Sequence, residues 1–174
     1  MTQLRISRLL YPVRVLGPGE RAVIWTQGCS LKCAGCMSRD TWSSATGQST
    51  TVDAVVDWVA EQERVDGVTI SGGEPSEQPE ALADLLASLR RRLAPTSDIL
   101  VYSGRDIDWV QGPGRHLFSG ADAVMAGPYV AAAAGHRSLR GSDNQELVLL
   151  TPLGVNRYGD ETRLPDRGPL QLGT

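Results

Sequence analysis

Apolar and polar positions recur along this chain with two periods, and the switches between them outline a fold. Ala22-Val23-Ile24-Trp25-Thr26 is a short β-branched and aromatic run that predicts a buried strand. Gly67-Val68-Thr69-Ile70-Ser71 and Asp98-Ile99-Leu100-Val101-Tyr102-Ser103 predict two more strands, Ala121 to Met125 a weaker fourth and Glu146 to Leu150 a fifth. The mixed apolar and basic segment Leu4 to Leu16 predicts an edge strand, closed by the turn Gly17-Pro18-Gly19-Glu20. Helical spacing takes over in between. Val52, Val55, Val56 and Val59 form one stripe, with Thr50 or Thr51 as N-cap. Leu82, Leu85, Leu86, Leu89 and Leu93 form another, predicting a helix from about Pro79 to Leu93, and Ile107 to Val110 predicts a short third. Strands separated by helical segments argue for βαβ units with right-handed crossovers and a mainly parallel sheet. Five such strands are too few for the closed eight-stranded barrel of about 250 residues, so the expected architecture is an α/β open partial barrel. The stretch from Thr151 to Thr174, with three prolines and four glycines, is expected to be irregular and to cover an edge or stay mobile.

Composition narrows this picture without redirecting it. A chain of 174 residues, 41% hydrophobic, is expected to form a single domain with its own core: 1–150 as the folded body and 151–174 as a tail of the same unit. The net charge of −3 and the lack of a Lys/Arg run point away from nucleic acid. No stretch approaches the roughly 18 apolar residues of a membrane span, and no apolar leader stands at the start, so a soluble cytoplasmic protein is expected. The odd number of cysteines, three in one loop, fits a reducing compartment and a metal site better than a disulfide framework.

That loop is Cys29-Ser30-Leu31-Lys32-Cys33-Ala34-Gly35-Cys36, three thiols in eight residues. It leaves the C-terminal end of a predicted strand, where open α/β sheets and barrels build their sites. Three soft ligands suit an iron–sulfur cluster or zinc. Such clusters usually take four cysteines, so a cubane held here would keep one iron uncapped. Structural zinc completed by His116 or His136 is the competing reading, although zinc sites usually pair cysteines in two knuckles and no second knuckle exists here. At the end of the next strand stands Ser71-Gly72-Gly73-Glu74-Pro75, whose glycines allow a close backbone approach and whose carbonyls and carboxylate could accept from an ammonium group. Ser103, followed by Gly104, and Met125 occupy the corresponding ends of later strands; turn formation and core filling are their plainer explanations.

Cys29-x3-Cys33-x2-Cys36 resembles the cluster motif of the radical S-adenosylmethionine (radical SAM) superfamily. The resemblance implies a [4Fe–4S] cluster on these three thiolates, with its fourth iron chelated by S-adenosylmethionine (SAM) where the fourth cysteine is absent. It implies the open partial barrel of the radical SAM type, with the cluster loop at 27–40. It further implies SAM contacts from Gly35, Met37, Gly72, Gly73, Glu74, Ser103 and Met125, with Arg137 and Arg140 as candidates for the SAM carboxylate. Reductive cleavage of SAM would give a 5′-deoxyadenosyl radical that abstracts hydrogen, with flavodoxin or ferredoxin as a suitable one-electron donor.

Further segments are similar to the activating proteins of anaerobic ribonucleotide reductase. They are Tyr11-Pro12-Val13, Gly17 to Arg21, Gln27-Gly28-Cys29, Thr41-Trp42, Gly127-Pro128-Tyr129 and Arg140-Gly141-Ser142-x-Asn144-Gln145, in the family's order. This implies a large partner enzyme whose backbone glycine loses the hydrogen. Three positions depart from the pattern: Arg105 where an aromatic is common, Ala126 where an aspartate is usual, and Ser38 where an Asn is frequent. The first two, at strand tips, leave open a radical SAM enzyme that modifies a ribosomal peptide or a small metabolite.

Overall fold

Alternate residues of a strand face opposite ways, and here each face meets a different neighbour. The computed structural model describes residues 1–135 and 137–162. Its sheet comprises β1 (Gln3–Val13), β2 (Arg21–Thr26), β3 (Gln48–Thr51), β4 (Gly67–Gly72), β5 (Asp98–Ser103), β6 (Ala123–Ala126) and β7 (Glu146–Leu149). They lie in the order β3-β1-β2-β4-β5-β6-β7. The four central strands β2, β4, β5 and β6 are parallel, as the βαβ pattern requires. β1 is antiparallel to both β2 and β3, and β7 is antiparallel to β6. The sheet is thus open and parallel at its centre, with antiparallel flanks.

Helices α1 (Val52–Ala60) and α2 (Pro79–Arg92) cover one face. Their valine and leucine stripes pack on Ile24, Val68, Ile70, Ile99, Val101 and Val124 in one continuous core. Of the two candidate caps it is Thr51 that closes α1, its hydroxyl accepting from Ala54 N at 3.2 Å. The short α3 (Ile107–Gln111) leads from β5 toward β6, starting at Asp106, whose carboxylate accepts from Trp109 N. Two segments differ from expectation. β3 is a strand although Gln48-Ser49-Thr50-Thr51 is wholly polar, because β1 offers it a free edge to pair with. The stretch after Leu150, expected to be irregular, folds as helix α4 over Pro152–Tyr158, capped by the Thr151 hydroxyl and carrying proline in its first turn. Residues 163–174 of the expected tail lie outside the described residues.

Helix α4 closes the second face of the sheet. Tyr158 is fully buried with Leu100 and Ala123, flanked by Tyr102, Leu147 and Leu149. Beneath it Arg21 and Asp98, neither exposed at all, form a two-point ion pair at 2.8 and 3.0 Å. Arg21 also donates to Thr69 Oγ1, Val68 O and Pro18 O, so all five of its N–H groups are occupied. Arg157 and the Tyr158 hydroxyl both donate to Asp98 from α4. Burial alone would raise the Asp98 pKa, but the hydrogen bonds and charge of Arg21, with Tyr158 and Arg157, outweigh it and hold the carboxyl below its ordinary range. This polar plug seals the N-terminal end of the central strands and leaves their C-terminal ends for the site.

Candidate functional site

The cysteine loop is closed on itself at its base. Gly28 N donates to Thr41 O at 2.8 Å and Cys29 N to Trp42 O at 3.0 Å, so the outgoing and returning legs pair. Buried Gln27 spans the interior of the loop, its amide donating to Asp40 O, Ser43 O and Thr46 Oγ1. Within the loop Cys36 N donates to Cys33 O, and Lys32 and Gly35 take positive φ, bending the chain around the thiols. All three cysteines are free and half-buried.

The donor chemistry fits an iron–sulfur cluster with an open position. Backbone amides address two of the sulfurs: those of Leu31 and Lys32 face Cys29, and Ser38 N donates to Cys36 Sγ at 3.4 Å. Amide hydrogen bonds to sulfur are one of the levers that tune such clusters. Burial pushes the Cys29 thiol pKa up, and the nearby Glu74 and Glu77 add to this, against the lowering effect of the two amides. Among the described residues no three His, Cys, Asp or Glu side chains gather around a point suited to one metal ion. His116, named in the zinc reading, sits in the turn Arg115–Phe118 with its Nδ1 on Pro113 O at 2.9 Å, and His136 lies outside the described residues.

The Gly72-Gly73-Glu74 turn docks directly on this loop. Gly73 N donates to Thr26 O and Glu74 N to Gly28 O. A Cβ at Gly72, where φ is +99°, would stand 2.6 Å from Thr26 O, and one at Gly73 would stand 2.2 Å from Gly28 O. The close approach expected of these glycines is therefore made to the chain's own cluster loop. Gly73→Ala is expected to destabilise the protein by about 1–3 kcal/mol, because the obstructing atom is backbone and cannot rotate aside. Thermal unfolding of the apo-protein checks this, and an unchanged midpoint would show that the turn has room to move.

Glu74 is 1% exposed, and its carboxylate is taken up within the protein. Oε1 accepts from Ser103 Oγ at 2.9 Å and from Ser76 N at 3.0 Å, while Oε2 accepts from Gly104 N at 2.7 Å. Ser103 is likewise buried, its hydroxyl engaged with Glu74 and Arg105 N. These two side chains join the tips of β4 and β5. Their polar atoms face each other across the two tips.

The other candidates separate. Gly35, at φ +81°, has Tyr129 and Ala131 against it, at 3.2–3.3 Å from where a Cβ would stand, so the cysteine loop touches the rim beyond β6. Met37 is 94% exposed beside Cys36. Met125 is fully buried on β6, between Tyr102 of β5 and Leu147 of β7. Arg137 and Arg140 line a groove of about 430 Å³ with Asp143, Asn144 and Gln145. Arg140 donates to the carbonyls of Gln145 and Ser138, and among the described residues neither arginine forms an ion pair. Burial and the neighbouring Arg137 lower the Arg140 pKa. Ser142, Asn144 and Gln145 hold the rim itself, bonding Val130 N, Pro128 O and Gly127 O. Sequence reasoning gave Gln27 no role beyond its place in a family-like segment and passed over Glu77 and Gln78; Gln78 ties Arg5 to the strand tip, donating to Arg5 O and accepting from Arg5 N.

A three-thiol loop at the C-terminal edge of an open parallel sheet, braced by a Gly-Gly-Glu turn, defines a class: iron–sulfur enzymes of the radical SAM type. Residues 15–148 match the family described as a 4Fe-4S single cluster domain. Over 143 residues the chain is 30% identical to the anaerobic ribonucleoside-triphosphate reductase-activating protein of Enterobacteria phage T4, covering 79% of this chain and 90% of that one. A shorter stretch of 75 residues is 40% identical to the pyruvate formate-lyase-activating enzyme of Clostridium pasteurianum, covering 40% of this chain and 32% of that one. In fold, the chain superposes on the crystal structure of QueE from Escherichia coli with a TM-score of 0.56, at 16% identity, over 89% of this chain and 67% of that one. The chain belongs to the 4Fe-4S single cluster domain family and is a relative of the anaerobic ribonucleoside-triphosphate reductase-activating proteins. No helix among the described residues is long and apolar enough to cross a membrane.

Proposed function

We propose that this protein is a glycyl-radical activase, removing a hydrogen atom from one backbone glycine of a large partner of the anaerobic ribonucleotide reductase class. The observation that carries this reading is similarity to a reductase-activating protein along 90% of that protein's length. A [4Fe–4S] cluster on Cys29, Cys33 and Cys36 would supply the electron that cleaves SAM to methionine and a 5′-deoxyadenosyl radical, the hydrogen abstractor.

The chain's own residues hold and orient. Gln27 and the paired legs 28–29 and 41–42 fix the loop. With the Glu74 carboxylate engaged by Ser103 and Gly104 and its carbonyl by Glu77 N, the carbonyls of half-buried Gly72 and Gly73 would be the acceptors for the SAM ammonium. The guanidinium groups of Arg137 and Arg140 suit its carboxylate. Gly35 and Met37 would contact SAM from the cluster loop, and buried Met125 would support the site from within the sheet. A glycine α-carbon is a sensible target, since its radical is delocalised over two adjacent amides. Flavodoxin or ferredoxin would deliver the electron, in the reducing cytoplasm.

The test is anaerobic incubation of the reconstituted protein with SAM, a reductant and an anaerobic ribonucleotide reductase from the same organism. A glycyl doublet in the EPR spectrum of the reductase, with one 5′-deoxyadenosine per radical, is the expected result. SAM cleavage without that doublet on any reductase would turn the reading toward a peptide or small-metabolite substrate, the alternative that Arg105 and Ala126 leave open.

A further inference from the structure

Arg105 departs from the family pattern, and its partners in the structure give it a purpose. The turn Pro75–Glu77 follows directly on Glu74. Its last residue, Glu77, reaches the cysteine loop: both carboxylate oxygens accept from Ser30 N, at 3.0 and 3.1 Å, and Oε1 also accepts from Ser30 Oγ at 2.5 Å. Ser30 is the residue immediately after Cys29. Glu77 therefore grips the first peptide of the gap between Cys29 and Cys33. Arg105, just past the β5 tip, approaches the same carboxylate, with Nη2 3.8 Å from Glu77 Oε1. It is steadied by Ser76 Oγ at 3.3 Å and by the Trp109 ring, whose centroid lies 5.5 Å from the guanidinium carbon.

A carboxylate here has two opposing effects. Its hydrogen bonds shape the loop, whereas its charge disfavours adding an electron to a cluster already ligated by three thiolates, because net charge is among the determinants of cluster potential. Glu77 lines the same cavity as Cys29 and Ser30, which puts its charge beside the thiol loop. A guanidinium beside Glu77 Oε1 offsets that charge while its own contacts run to Ser76 and Trp109. An aromatic residue at position 105 could not.

We propose that Glu77 is a positioning residue for the cluster loop and that Arg105 balances its charge, so that the pair sets the reduction potential of the cluster. This rests on the placement of the cluster on Cys29, Cys33 and Cys36. The same turn thereby serves two strand ends: Glu74 holds the β5 tip, and Glu77 holds the loop.

The experiment is an EPR-monitored redox titration of the reconstituted protein without SAM, together with the rate of iron loss to a chelator. Arg105→Gln is expected to shift the midpoint to lower potential and Glu77→Gln to higher potential. The double variant should return near the wild-type value, and Arg105→Lys should leave it unchanged. Glu77→Gln should also lose iron roughly tenfold faster, the scale seen when an outer partner of a metal site is removed. A merely structural pair would not move the potential in opposite directions. If the single variants shift it the same way, or not at all, the charge balance is wrong; if Glu77→Gln keeps iron as long as wild type, the positioning role is wrong. Should Glu77→Gln retain no cluster, the contrast between Arg105→Gln and Arg105→Lys still reads the sign. A wild-type protein that takes up no cluster would instead overturn the cluster assignment.

Discussion

Cys33→Ala is expected to abolish the brown iron–sulfur absorbance and SAM cleavage together, reducing 5′-deoxyadenosine to the level of a no-enzyme control. The chain has no fourth cysteine to take the place of Cys33, and the nearby carboxylates of Glu74 and Glu77 are already engaged by Ser103, Gly104 and Ser30. A cubane left with two cysteines would have two irons without protein ligands, a state open to solvent and to loss. The fold should survive, because the turn through Cys33 uses its backbone carbonyl, which Cys36 N reaches at 3.1 Å. Iron and sulfide analysis, with thermal unfolding of the apo-proteins, separates loss of cluster from loss of fold. SAM cleavage retained at more than a trace in this variant would sink the mechanism for every substrate.

The second large effect lies at the other end of the strands. Asp98→Ala should destabilise the protein by about 3–5 kcal/mol, the cost of leaving a buried charge without its partner. That is a large fraction of the roughly 5–15 kcal/mol that holds a typical domain folded. The Arg21 guanidinium would stay buried with two of its five donors unsatisfied, and Arg157 and Tyr158 would lose the acceptor that docks α4. The contribution has a pH signature. Because the folded-state pKa of Asp98 is depressed, the unfolded chain binds its proton first as pH falls. The stabilisation is present above the unfolded value of about 3.9 and is lost as pH falls through the lower folded value. Urea unfolding at neutral pH and near pH 3 should therefore show a wild-type acid loss that is smaller in Asp98→Asn. Equal acid slopes in the two proteins would argue against the plug.

The central strands were legible because each is a continuous β-branched run buried on both faces, and α1 and α2 because their stripes repeat at helical spacing. β3 was not, since four polar residues become a strand only when β1 presents its edge. The start of α4 carried a readable signal in Thr151-Pro152, a cap followed by proline, which the surrounding glycines obscured. Its docking could not be read, because Asp98 and Tyr158 are 60 residues apart and meet only across the sheet.

Local sequence alone located the candidate site: three thiols in eight residues, and a Gly-Gly-Glu turn at the end of the following parallel strand. Local spacing suffices there, because the ligands lie within one loop. The partners of the surrounding polar groups were set instead by contacts distant in sequence. Glu74 meets Ser103 across 29 residues, and Glu77 meets Ser30 across 47, once parallel register has brought the strand tips side by side. Glu74 thus braces the site from within, and Glu77, with Arg105 beside it, reaches the loop that carries the thiols. A carboxylate's partner is set by which strands are neighbours, and neighbour choice is a property of the whole sheet.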